Sequence, residues 1–158
     1  MNPRLLSLAA LAAALFCGVP PVLAAGNDDT AAIRACATKY ADNVDDAERH
    51  CIFAIVADPC TMTPANQTTL ATTECYNRER KIWDDLLNEN FRVLRDDLDE
   101  GQKSKLRDMQ RAWIAYRDTT CGFYYDKIQG TMGGFMEAGC VARETARRAM
   151  LLAFFSQL

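Results

Sequence analysis

Residues 69–98, TLATTECYNRERKIWDDLLNENFRVLRDDL, decide the fold. Tyr76, Trp83, Leu87, Phe91, Leu94 and Leu98 recur at three- and four-residue steps, the period of one helix face. Asp99-Glu100-Gly101-Gln102 then supplies a turn and a capping box for a second long helix. That helix carries Leu106, Met109, Trp113, Tyr116, Cys121 and Tyr124. With the turn centred near Leu98, residues equidistant from it lie at one level of an antiparallel pair. Cys75 then faces Cys121, Glu79 faces Arg117, Trp83 faces Trp113, and Leu87 faces Met109. Each set steps by four and keeps to one side of its helix. The register predicts a Glu79–Arg117 ion pair that fixes alignment more than it stabilises, and a buried Trp83–Trp113 pair.

Working outward, Gly130-Thr131-Met132-Gly133-Gly134 reads as a glycine-rich helix connection, with a last helix from about Phe135 to Phe155. Its apolar end, Ala149 to Phe155, reads as a core face. Toward the N-terminus, Asp28 and Asp29 are expected to cap a helix carrying Ile33, Cys36 and Tyr40. Asp45 or Asp46 is expected to cap another, with Ala47, Cys51 and Ile55, ended by Asp58-Pro59. Thr61 to Gln67 reads as loop. Strand patterning is absent. The expected fold is all-α: a small disulfide-stapled helical bundle on a long antiparallel hairpin, with a C-terminal helix and short N-terminal helices.

Residues 1–24 have the pattern of an export signal: Arg4, an apolar run from Leu5 to Val19, Pro20-Pro21, and a small-residue site with cleavage expected after Ala24. The run is too short to predict a membrane span. Cys17 follows Phe16, where a lipid-attachment cysteine wants a small residue, so it reads as incidental and the chain is not expected to be a lipoprotein. Residues 25–158 are expected to form one helical domain. Arg4 leaves with the signal and no acid does. The 18 Lys and Arg against 21 Asp and Glu of the whole chain become 17 against 21, a formal charge of −4. That balance argues against nucleic acid and anionic membranes as partners. The six remaining cysteines, Cys36, Cys51, Cys60, Cys75, Cys121 and Cys140, form an even set behind an export signal, which predicts disulfides in a periplasmic or secreted protein. The helical register favours Cys75–Cys121, with Cys36–Cys51 and Cys60–Cys140 completing the set. Cys140 competes for Cys121, and sequence alone does not choose among the pairings.

The chemistry of catalysis is thin. His50 is the one histidine, and a surface or packing role suits it. No C-x-x-C pair remains. Asp96, Asp97, Asp99 and Glu100 fail EF-hand spacing and read as a solvated turn. The glycine stretch lacks the Gly-Lys-Ser/Thr ending of a phosphate loop. No cofactor and no metal are expected. An enzyme working through carboxylates such as Glu79 and Asp84 would need a second catalytic group, and none accompanies them.

From Cys60 onward, the set Cys60, Cys75, Glu79, Trp83-Asp84, Leu87-Asn88, Gln110, Trp113, Arg117-Asp118, Cys121, Gly133-Gly134, Cys140, Thr145 and Arg148 resembles the LprI type of exported lysozyme inhibitor. The resemblance makes residues 60–158 the core and residues 25–59 an N-terminal extension. It implies stoichiometric binding of a basic lysozyme-like wall hydrolase, without catalysis. The alternative is a non-inhibitory periplasmic binding module or an envelope-assembly or stress protein. Phe91 stands where this type usually has Tyr, and Thr131-Met132 precedes Gly133-Gly134. The expected contact residues are Gly130, Thr131, Met132, Gly133, Gly134 and Phe135, with Glu79, Trp83, Trp113 and Arg117 as structural residues.

Overall fold

A computed structural model describes residues 24–158, with side chains from residue 28. The expected export signal, with Cys17, lies outside the described residues except for Ala24, which opens the first helix. The elements are α1 (Ala24–Lys39), α2 (Val44–Cys51), α3 (Ala57–Met62), a 3-10 turn (Pro64–Asn66), α4 (Thr69–Asp96), α5 (Glu100–Ile128) and α6 (Gly130–Phe155). No strand occurs among the described residues, and the fold is all-α and disulfide-stapled.

The capping box at Asp99 forms as its residue types dictate: Asp99 accepts from the Gln102 N–H, and the Gln102 side chain accepts from the Asp99 N–H. Other ends differ from expectation. Residue 24 already opens α1, so Asp28 and Asp29 lie inside that helix. Asn43, not Asp45 or Asp46, caps α2, its Oδ1 accepting from both of their N–H groups. Asp58-Pro59 does not end α2; both residues sit in the first turn of α3, where proline's missing N–H is harmless.

The central helix is α6. It packs along α4 on one side and α5 on the other, while α4 and α5 barely touch despite their short connection. Tyr76 of α4 lies by Phe135 and Gly139, and Asn90 lies by Ala149, so α4 and α6 run parallel. Gln110 meets Arg148 and Cys121 meets Cys140, so α5 and α6 run antiparallel. The expected α4–α5 register is therefore wrong. Glu79, Trp83 and Leu87 enter the core, whereas Arg117 pairs with the adjacent Asp118 at 2.7 Å and lies 4.9 Å from the Trp113 ring.

The disulfides follow the same geometry. Cys36 is joined to Cys51, Cys60 to Cys75, and Cys121 to Cys140. Cys75–Cys121 and Cys60–Cys140 do not form, because α6 separates α4 from α5 and brings Cys140 to Cys121. The 3-10 turn folds the chain back so that Cys60 reaches Cys75. Ile33, Ile52, Val56, Trp83, Leu86, Leu87 and Leu152 fill the core. Three ion pairs fasten the N-terminal helices to it: Arg34–Glu89, Arg147–Glu48 and Arg78–Asp29.

Candidate functional site

Helix α5 is long and little covered. Of its residues only Leu106 and Cys121 are buried. Past Cys121, the run Phe123-Tyr124-Tyr125 cannot all face one neighbour, because successive helix positions turn by about 100°. Phe123 is 64% exposed, Tyr125 50% and Met132 52%, with Ile128 also exposed. Tyr116, seven residues before Phe123, is exposed too and extends the same stripe. It stands in the sequence among the periodic residues of this helix, and it stays exposed because α4 is not its neighbour.

The tip of this hairpin is stiff. Gln129 and Gly130 take positive φ, 59° and 63°, and reverse the chain in two residues. The expected glycine loop is absent, since Gly130 opens α6 and Gly133 and Gly134 continue it. Gly133 permits the close return: a Cβ there would stand 3.1 Å from the Tyr125 Cα. Cys121–Cys140 closes the tip, with Cα atoms 5.4 Å apart. Closing a loop of this length removes unfolded-state entropy worth about 3 kcal/mol.

A groove adjoins the tip. Phe53, Tyr76 and Phe135 form a chain of rings with centroid separations of 4.9 and 5.5 Å. Tyr124 and Met136 connect this groove to the exposed tip. Arg143 lies 5.3 Å from the Phe53 ring and forms no ion pair among the described residues. Its neighbour Arg147 is committed to Glu48 and Glu144. Burial, and then Asp58, push the Tyr76 phenol up, while Arg143 opposes them.

Glu79 sets the groove from behind. It is fully buried on α4. Its Oε1 accepts from the Phe53 N–H at 2.7 Å and the Trp83 indole N–H at 3.0 Å, and its Oε2 accepts from the Ala57 N–H at 2.8 Å. Phe53 has φ 68°, a costly conformation for a residue with a bulky side chain. Glu79 thus holds the turn that presents the Phe53 ring. Burial pushes its carboxyl up and outweighs the three donors, which favour the charged form.

Among the sequence candidates, Gly130, Thr131 and Met132 are exposed at the tip, Gly133 is buried against α5, and Phe135 is half-buried in the groove. Glu79 and Trp83 meet, as do Trp113 and Arg117, but Arg117 pairs with Asp118 rather than Glu79, and Trp113 packs against the core that holds Trp83 without a ring contact to it among the described residues. The aromatic residues of α5 and Arg143 were missed as contact candidates. The three consecutive aromatics were the available signal, whereas Arg143 required the fold. Among the described residues no cluster of His, Cys, Asp and Glu is arranged to hold a metal, and no helix is long and apolar enough to cross a membrane.

Residues 60–152 match the family model described as lysozyme inhibitor LprI. No curated protein and no solved structure matches the chain. The family match and the three disulfides point to an exported protein.

Proposed function

The chain belongs to the LprI family of lysozyme inhibitors, and from that premise we propose that it blocks a lysozyme-like wall hydrolase by one-to-one binding through the α5–α6 tip. The observation that carries the reading, beside the family, is the exposed set Phe123, Tyr125, Ile128 and Met132 on a hairpin closed by a disulfide. Exposed aromatics cost little side-chain entropy on docking and are favoured at the centres of interfaces. A stiff tip binds with less ordering cost than a mobile loop. The chain's formal charge of −3 complements a basic hydrolase and speeds encounter. Arg143, beside the aromatic groove, offers an uncommitted guanidinium to a partner carboxylate.

The test is a turbidity assay of wall suspensions with a basic lysozyme and increasing amounts of the oxidised protein. Protection that saturates at one molecule per enzyme supports the proposal. Lysis at an undiminished rate in excess protein refutes it.

A further inference from the structure

We propose that the cavity beneath α1 and α2 is a binding site for a small uncharged aromatic ring bearing one hydrogen-bond donor, of the size of phenol. Where these helices lie over α4 and α6, five alanines converge: Ala37, Ala41, Ala47, Ala149 and Ala153. Trp83 and Leu86 of α4 form the opposite wall. Methyl side chains are too short to meet across the gap, and about 160 Å³ is left between them. An apolar space of about 150 Å³ is known to accept benzene in another protein.

The roof cannot simply collapse into this space. Cys36–Cys51 ties α1 to α2. Arg34 grips Glu89 through two hydrogen bonds of 2.9 and 2.8 Å, and Arg147 on α6 holds Glu48 of α2 in the same two-fold way. These contacts fix the roof at a set height over α4 and α6, so the gap persists when empty, at the cost of unmade packing contacts.

The lining defines the ligand. Arg34 is the charged residue among those around the cavity, and Glu89 neutralises it, so neither sign of ligand charge is favoured. Asn90 gives its Nδ2 hydrogen to the Ala149 carbonyl at 2.9 Å, while its Oδ1 makes no hydrogen bond among the described residues. Asn90 Oδ1 is therefore available to a hydroxyl or N–H on an otherwise apolar ring, beside the Tyr40 hydroxyl in the lining and the Thr38 and Gln157 side chains toward solvent. Exposed Arg34, Thr38 and Gln157 form the mouth.

The experiment titrates the full oxidised protein with phenol and, separately, with benzene. Trp83 lies in the wall and reports occupancy by fluorescence, read in a Trp113→Phe background, with melting temperature as a second measure. Both probes are expected to give a saturable change, phenol binding several-fold tighter than benzene. Ala153→Leu and Ala37→Leu fill the space from different walls, and each is expected to weaken both probes at least tenfold. Asn90→Ala is expected to remove the advantage of phenol and leave benzene unchanged. No saturable response in the unfilled protein overturns the proposal. So does an undiminished response in whichever filled variants fold. Equal binding of the two probes overturns the assignment of a donor-bearing ring. The lysozyme assay reads a separate surface, because the cavity lining shares no residue with the exposed set Phe123, Tyr125, Ile128 and Met132.

Discussion

Replacing Glu79 with Gln keeps the side chain's volume and removes one acceptor. The amide oxygen can still accept from Phe53 and the Trp83 indole, as Oε1 does now. The amide nitrogen then faces the Ala57 N–H across the present 2.8 Å contact, donor against donor. A buried donor left unpaired costs about 1–3 kcal/mol, so the variant should lose about 2 kcal/mol. With a urea dependence of about 2 kcal/mol per molar, the midpoint should fall by about 1 M, measured with disulfides intact. The sign with pH follows from the raised folded pKa. The contribution of Glu79 is fully present below its unfolded value of about 4.3 and is lost as pH rises through the folded value. The gap between wild type and variant should therefore narrow as pH rises. A difference under about 0.5 kcal/mol at pH 4, or a gap that widens with pH, would refute the three-donor account of this carboxyl.

Three further outcomes test other parts of the molecule. Phe123→Ser with Tyr125→Ser should weaken lysozyme inhibition about tenfold or more and leave the melting temperature nearly unchanged, since neither side chain is buried. The paired replacement of Cys121 and Cys140 by Ser should cost about 3 kcal/mol and abolish slow hydrogen exchange between them, with α4 retaining its protection. Arg148 is 5% exposed and bonds Gln110 through Nε, but its Nη2 has no partner among the described residues, and burial lowers its pKa. Arg148→Met should be neutral or stabilising by about 1 kcal/mol in denaturant titration, because a buried guanidinium with no ion-pair partner among the described residues gains little from Gln110 and the Trp113 ring that packing cannot replace.

The long helices were legible because their signals are local. The α4 face repeats at helical spacing, and Asp99 with Gln102 marks the start of α5. The partner of each face was not legible. Trp83 on α4 and Trp113 on α5 both belong to stripes directed toward the middle of the bundle, and periodicity says which side is buried but not against what. Two helices serving the same third helix can show matched stripes without touching. Gly130, Gly133 and Gly134 misled for a related reason. Glycine marks backbone freedom, and at Gly130 the chain uses it to turn; Gly133 instead uses its missing Cβ to approach Tyr125 inside a helix. The buried carboxyl of Glu79 was read as half of an ion pair, because a sequence displays charges and hides backbone N–H groups. The aromatic groove joins residues from positions 53 to 143, a juxtaposition that no local pattern carries.

The disulfide connectivity bears on how the molecule is made. Every bridge joins a cysteine to the next one along the described chain, and no bridge spans another. A chain entering an oxidising compartment from its N-terminal end exposes each thiol together with its proper mate, before the following pair arrives. Oxidation in order of arrival therefore favours the native set and leaves few mismatched bridges to reshuffle. The separations of 15, 15 and 19 residues keep each closure local and fast. Covalent maturation thus advances in the order of synthesis, finishing with the bridge that braces the aromatic tip.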